Sequence, residues 1–225
     1  MKKVVFGLKM IFTMFLATAI SVTLLGCGSS SPSSSGSTAN DAIATTTTTM
    51  VATTNIGNSS VSAMPSVSTV QAGGSFDVSI VVNTSSPTRG LQFVLTWDAT
   101  KVQCNSVTQG NYFSDFATAN NGSMFYLPSN PSPDNSAGRF PQNTNTNPNT
   151  SPTYENVLLT GAQGPNGTYL GVTGSGNVYV LNMSALAGAS GTVTFSLSDV
   201  ILGDNSVNTQ NMHATVNNGT ITISP

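Results

Sequence analysis

Gly90-Leu-Gln-Phe-Val-Leu-Thr-Trp-Asp-Ala-Thr-Lys-Val102 carries the decisive alternation: Leu91, Phe93, Leu95 and Trp97 are large and apolar, and Gln92, Val94 and Thr96 fall between them. A period of two places the first set on one face of a strand and the second on the other. Trp97 therefore points inward, and Gln92, Val94 and Thr96 face outward. The same period runs through Phe76-Asp-Val-Ser-Ile-Val-Val82, where Phe76, Val78, Ile80 and Val82 share a face. Further strand-like runs are Lys101 to Thr108, Ser123 to Leu127, Asn156 to Ala162, Asn177 to Met183, Thr192 to Leu197, Met212 to Val216 and Thr220 to Ser224. Gly, Asn, Asp or Pro separates nearly every pair of runs, and no window has an apolar stripe at helical spacing. Nine short strands with one buried face each predict an all-β, nine-stranded β-sandwich over residues 61–225, because a single sheet leaves its apolar face wet.

Composition narrows the partners. Only 6% of the 225 residues are charged, far below the roughly 25% of an ordinary soluble protein. Lys2, Lys3 and Lys9 sit in the leader, which leaves Arg89, Lys101 and Arg139 against eight carboxylates, a net charge of −5. Three scattered cations do not neutralise a phosphate backbone, so nucleic acid is excluded as a partner. Of the two cysteines, Cys104 lies in a strand-like run and reads as a small buried hydrophobe.

Residues 1–26 read as a signal peptide. Met1 to Lys3 are basic, Val4 to Leu25 are apolar apart from Lys9, and the segment ends in Leu24-Leu25-Gly26-Cys27. That ending resembles the lipobox of bacterial lipoprotein signal peptides. The resemblance implies a diacylglyceryl lipid on Cys27, cleavage before it, and a protein exported to the cell membrane or cell surface. A membrane-spanning helix from Met10 to Gly26 and a cleaved signal without lipid are the other readings. Residues 27–60 are Ser/Thr-rich and bury too little apolar area to order, so a flexible tether is expected. A second polar stretch, 128–152, is rich in Pro, Asn and Ser with Phe140 as its one aromatic. A loop this long is functional or disordered, and a mobile surface excursion is the expectation.

Catalytic groups are hard to find. A hydrolase needs a carboxylate pair or a nucleophile with its base, yet the only histidine is His213 and no activated Ser motif is present. No catalytic residue is assigned. Asp98 follows Trp97 at a strand end, where a turn-capping role is expected. Asp199 and Asp204 are candidates for sharing a calcium ion with backbone carbonyls. The dense Asp/Asn ladder of a calcium loop is missing, so neither a metal nor another cofactor is expected. Tyr112, Phe113, Phe116 and Tyr126 cluster along the chain and either form a sugar-stacking platform or, the preferred reading, close one end of the core.

The order of landmarks resembles a cohesin domain. Val67 to Gly74 matches the family's opening strand and turn, and Phe76 to Val82 its next strand. Gly90 to Val102 is similar to its Phe-x-Leu-x-Tyr-Asp stretch, and Val107 to Gly110 before Phe113 to its Val-x-x-Gly. Gly191 to Leu202 and Asn218 to Ile223 resemble the last two strands. The resemblance implies a jelly-roll-like sandwich, related in fold to some carbohydrate-binding modules, that performs no chemistry. It implies docking of a dockerin-type module through the flat outer face of one sheet, in the service of polysaccharide breakdown. Gln92, Val94 and Thr96 are the candidate partner-binding residues. Many cohesins carry Asn and Asp where Gly90 and Gln92 stand here, so those polar contacts are lost. The expected partner is a dockerin-bearing or other surface protein, with the membrane reached through the lipid anchor. A carbohydrate-binding lipoprotein on the same fold and a structural envelope protein are the alternatives.

Overall fold

The computed structural model describes residues 58–145 and 153–225. The signal peptide, Cys27 and all but the last three residues of the expected tether lie outside the described residues. So do residues 146–152 of the polar stretch.

One long strand organises everything else. The runs Phe76–Val82 and Leu91–Trp97, expected as separate strands, are parts of a single β3, Ser75–Thr96. Its first part pairs with β1 (Ser60–Pro65) on one side and β8 (Val172–Ala185) on the other. Its second part pairs with β9 (Gly191–Asp204) and β7 (Glu155–Thr160). Between them the ladder with β8 shifts register from Thr84 to Thr88. Pro87 sits there and has no N–H to offer a neighbour. Thr84 ties the bend: its Oγ1 donates to the Ser86 carbonyl at 2.9 Å and accepts the Ser86 N–H at 3.1 Å.

The two parts of β3 seed two layers. The first runs β10 (Thr215–Asn217), β1, β3, β8, β4 (Val102–Gln109). The second runs β2 (Thr69–Gln71), β11 (Gly219–Ser224), β9, β3, β7, β5 (Ser123–Leu127), with β6 (Arg139–Phe140) also on β3. The described residues thus hold eleven strands rather than nine. They also hold a six-residue helix, α1 (Ser114–Ala119), which is too short to show a periodic stripe.

Aromatic rings join the layers. Phe76 of the first layer meets Phe195 of the second at 5.9 Å between centroids. Tyr179 of β8 touches Phe93 at 6.0 Å and Phe140 at 5.3 Å. All five rings are buried, and burying each contributes about 1.5–3 kcal/mol. Trp97 is buried as its phase requires, and its indole N–H donates to the Val102 carbonyl at 3.0 Å. Cys104 is buried, and desolvation pushes its thiol up to about 11, so it is inert as a nucleophile. Tyr112 and Phe113 pack edge to face at 4.9 Å and, with Phe116 and Tyr126, sit against the core rather than forming a platform.

The polar stretch is anchored where it is described. Phe140 is fully buried, and its strand pairs Phe140 with Leu95 and Arg139 with Thr96. Asn135 holds β4 by both backbone groups of Cys104, accepting the N–H at 2.7 Å and donating to the carbonyl at 2.9 Å. The expected mobile excursion is corrected for residues 128–145: one aromatic and one amide tie it to both layers.

A candidate docking face

The outer face of the second layer is built from β5, β7, β3 and β9. Because paired residues share a face, the register reads across it in rows. One row is Leu127, Asn156, Gln92 and Ile201. The next is Phe125, Leu158, Gly90 and Gly203. Phe125, Leu127 and Ile201 are 49%, 47% and 42% exposed, which is uncommon for large apolar side chains on a sheet and groups them on one surface. No charged side chain stands in either row.

Two local causes aim these residues outward. In β5 the alternation is strict: Met124 and Tyr126 pack against the core, so Phe125 and Leu127 point away. In β9 the alternation breaks. Val193, Phe195 and Leu197 are buried, but Asp199 adopts φ +53° and the register with β3 slips between Ser198 and Ile201. This bulge turns Leu202 inward and Ile201 outward.

Three outward residues of β3 were expected on this surface. Gln92 is half-buried and its Nε2 donates to the Asp199 carbonyl at 3.3 Å. Thr96 is half-buried and its hydroxyl donates to the Ser196 carbonyl at 3.4 Å. Val94 is corrected: it has the outward phase but is only 3% exposed. Arg139, level with Thr96, sends its guanidinium to the carbonyls of Pro141 and Thr153, the latter at 2.6 Å. The register of β3 with β9 also slips beside Val94, between Gln92 and Val94.

Gly90 has its own consequence. A Cβ there would stand 3.2 Å from Leu158 Cδ1 and 3.0 Å from the Val157 carbonyl oxygen. Leu158 therefore leans over the glycine and puts apolar surface where a side chain would otherwise rise.

Beneath the face lies a carboxyl that the sequence reading passed over. Glu155 is fully buried, accepts the Tyr179 hydroxyl on Oε1, and has no hydrogen-bond partner on Oε2 among the described residues. Burial pushes it up to about 8 against the lowering effect of the Tyr179 hydrogen bond. Its neighbour Tyr126 is raised by burial and by the Glu155 charge.

The candidate calcium pair does not assemble. Asp199 and Asp204 are five residues apart in β9, and at about 3.3 Å per residue five residues of strand span roughly 16 Å. Asp204 Oδ1 is taken by three donors: the Ser206 N–H at 3.1 Å, its hydroxyl at 2.7 Å and the Gln210 N–H at 2.7 Å. Among the described residues no group of three His, Cys, Asp or Glu is placed to hold a metal. Asp98 caps its turn as expected, accepting the Thr100 hydroxyl at 2.6 Å and N–H at 3.0 Å, and these bonds hold its carboxyl below the usual range. His213 is exposed, with φ +50°, and lies before β10 rather than in a strand.

The two layers and the long strand shared between them define a β-sandwich module. The cohesin domain profile matches residues 60–223, and the chain belongs to the cohesin family. Its fold is similar to the seventh ScaB type I cohesin of Pseudobacteroides cellulosolvens: TM-score 0.50, 18% identity, covering 74% of this chain and 92% of that one. It is equally similar to a type I cohesin–dockerin complex from Clostridium thermocellum, with TM-score 0.50 and 10% identity over 74% of this chain and 99% of that one. No curated protein matches the chain.

Proposed function

We propose that this chain is a non-catalytic cohesin module that docks a dockerin-bearing protein at the cell surface, held to the membrane by the lipid on Cys27. In this reading it serves polysaccharide breakdown by localising the proteins that carry it out. The carrying observation is the pair of uncharged rows on the outer face, in which Phe125, Leu127 and Ile201 flank Gln92 and Asn156. Exposed apolar groups rimmed by amides are the usual make-up of a protein-binding patch. The similar Clostridium thermocellum structure was solved with a dockerin bound, which supports the choice of partner class. With Gly90 and Gln92 in place of the family's Asn and Asp, the contact is apolar, and its affinity should change little with salt.

Calorimetric titration of the full chain with dockerin modules encoded in the same genome tests this. Binding that Leu127→Asp and Ile201→Asp each remove, without a change in melting temperature, supports the reading. Retention on insoluble polysaccharide with no dockerin binding overturns it in favour of a glycan-binding role, in which the exposed Phe125 ring is the stacking group. For the anchor, Cys27→Ala should leave the protein unprocessed or free it from the membrane fraction.

A further inference from the structure

The four strands that end the two layers are not treated alike. β2 and β10 are three residues long and offer little backbone. β4 is eight residues long, and Asn135 covers its middle by bonding both backbone groups of Cys104, as a neighbouring strand would. β5, Ser123-Met-Phe-Tyr-Leu127, has no such hydrogen-bonded cover among the described residues. Among the described residues its backbone bonds only to β7: beside the ladder, Thr160 Oγ1 donates to the Ser123 carbonyl and Asn156 Nδ2 to the Leu127 carbonyl. It contains no charge, no proline and no bulge, the devices by which proteins protect a strand edge from pairing.

We infer that the edge of β5 is closed by β5 of a second copy of this chain, antiparallel about a two-fold axis through Phe125. The strand is self-complementary in that arrangement. Phe125 faces Phe125 of the partner, Met124 faces Tyr126, and Ser123 faces Leu127, so all five residues pair and no like charges meet. The half-exposed side chains of Phe125 and Leu127 gain cross-strand neighbours. A two-fold axis perpendicular to the sheet keeps both outer faces on the same side. The two second layers then form one continuous sheet with two docking faces side by side. Two five-residue strands bury less than the roughly 1,200 Å² of a permanent interface, so the pair is weak in dilute solution and forms where copies are crowded. This inference does not depend on what the faces bind.

Disulfide trapping in cells expressing the full chain tests it. At a two-fold position the Cβ atoms lie about 5 Å apart, so Phe125→Cys should give a covalent dimer on mild oxidation. Thr220→Cys, exposed on β11 at the other side of the same layer, should not, and neither should the parent chain. Adding Ser123→Lys to Phe125→Cys should cut the dimer by about an order of magnitude, because edge lysines resist strand addition. An unchanged melting temperature for Ser123→Lys shows that the fold is intact. A Phe125→Cys chain that stays monomeric, or one that dimerises no more than Thr220→Cys, overturns the inference.

Discussion

The outer faces of the two layers share the strand β3 and yet spend their surface differently. On the first layer Met64 of β1 stands alone in solvent at 53% exposure, and the exposed polar groups satisfy one another. Asp77 accepts from Asn182 at 2.9 Å, Asn182 accepts from Asn105 at 3.0 Å, and Asn105 donates to Ser184 at 2.7 Å, which bonds Ser75 at 3.1 Å. On the second layer Phe125, Leu127 and Ile201 are left facing solvent. A surface whose polar groups already bond to each other has little to gain from a partner. One that keeps apolar area in water gains about 25 cal/mol for each Å² that a partner covers. Three such residues grouped on one surface make the second layer the better candidate for the proposed docking face.

The largest effect should come from Phe140→Ala, which removes a fully buried ring from beneath the second layer. A loss of about 3–5 kcal/mol is expected in urea unfolding, together with faster proteolysis within residues 128–145. If cleavage there is unchanged, the ring is not what holds that stretch. Next is the pH response of Glu155 in β7. Its folded value of about 8 lies above the ordinary carboxyl value of 4.5, so between those values the native state keeps a proton that the unfolded chain has given up. Stability is then highest below about pH 4.5 with respect to this group. It falls as pH rises towards 8 and is flat beyond. Glu155→Gln should abolish that slope when urea midpoints are compared from pH 4 to 9.

Smaller effects separate the faces directly. Leu127→Ala should weaken partner binding by about 1–2 kcal/mol and leave stability nearly unchanged. Asn105→Ala should do the reverse, costing about 1 kcal/mol of stability with no effect on binding measured by calorimetry. A binding loss in Asn105→Ala would erase the distinction between the faces.

Much of this architecture was legible in local pattern. The alternation through Leu91–Trp97 placed Phe93, Leu95 and Trp97 in the core, and Asp98 was recognisable as a turn cap. The lone aromatic of a polar stretch, Phe140, was visible but is explained only by its pairing with Leu95, forty-five positions earlier in the chain. Val94 and Ile201 were not legible for a shared reason. Alternation assumes an unbroken ladder and an open outer face. Val94 is buried despite its outward phase, and Ile201 is turned out by a bulge at Asp199, where period-two counting places it inside. Glu155 was missed because it stands one residue before the expected run Asn156 to Ala162, and a lone carboxylate there gives no sign of burial until Tyr179 is seen opposite.

The pairing of β1 with β10, Ser60 against Thr215, has a consequence for the order of events in the chain's life. So does the pairing of β2 with β11, Thr69 against Thr222. The opening strands meet the closing ones, so the domain cannot complete either layer until its last dozen residues have been made. Contacts this distant in sequence fold slowly. A chain halted before Gly219 should remain unfolded, with its strand edges unprotected for as long as it waits.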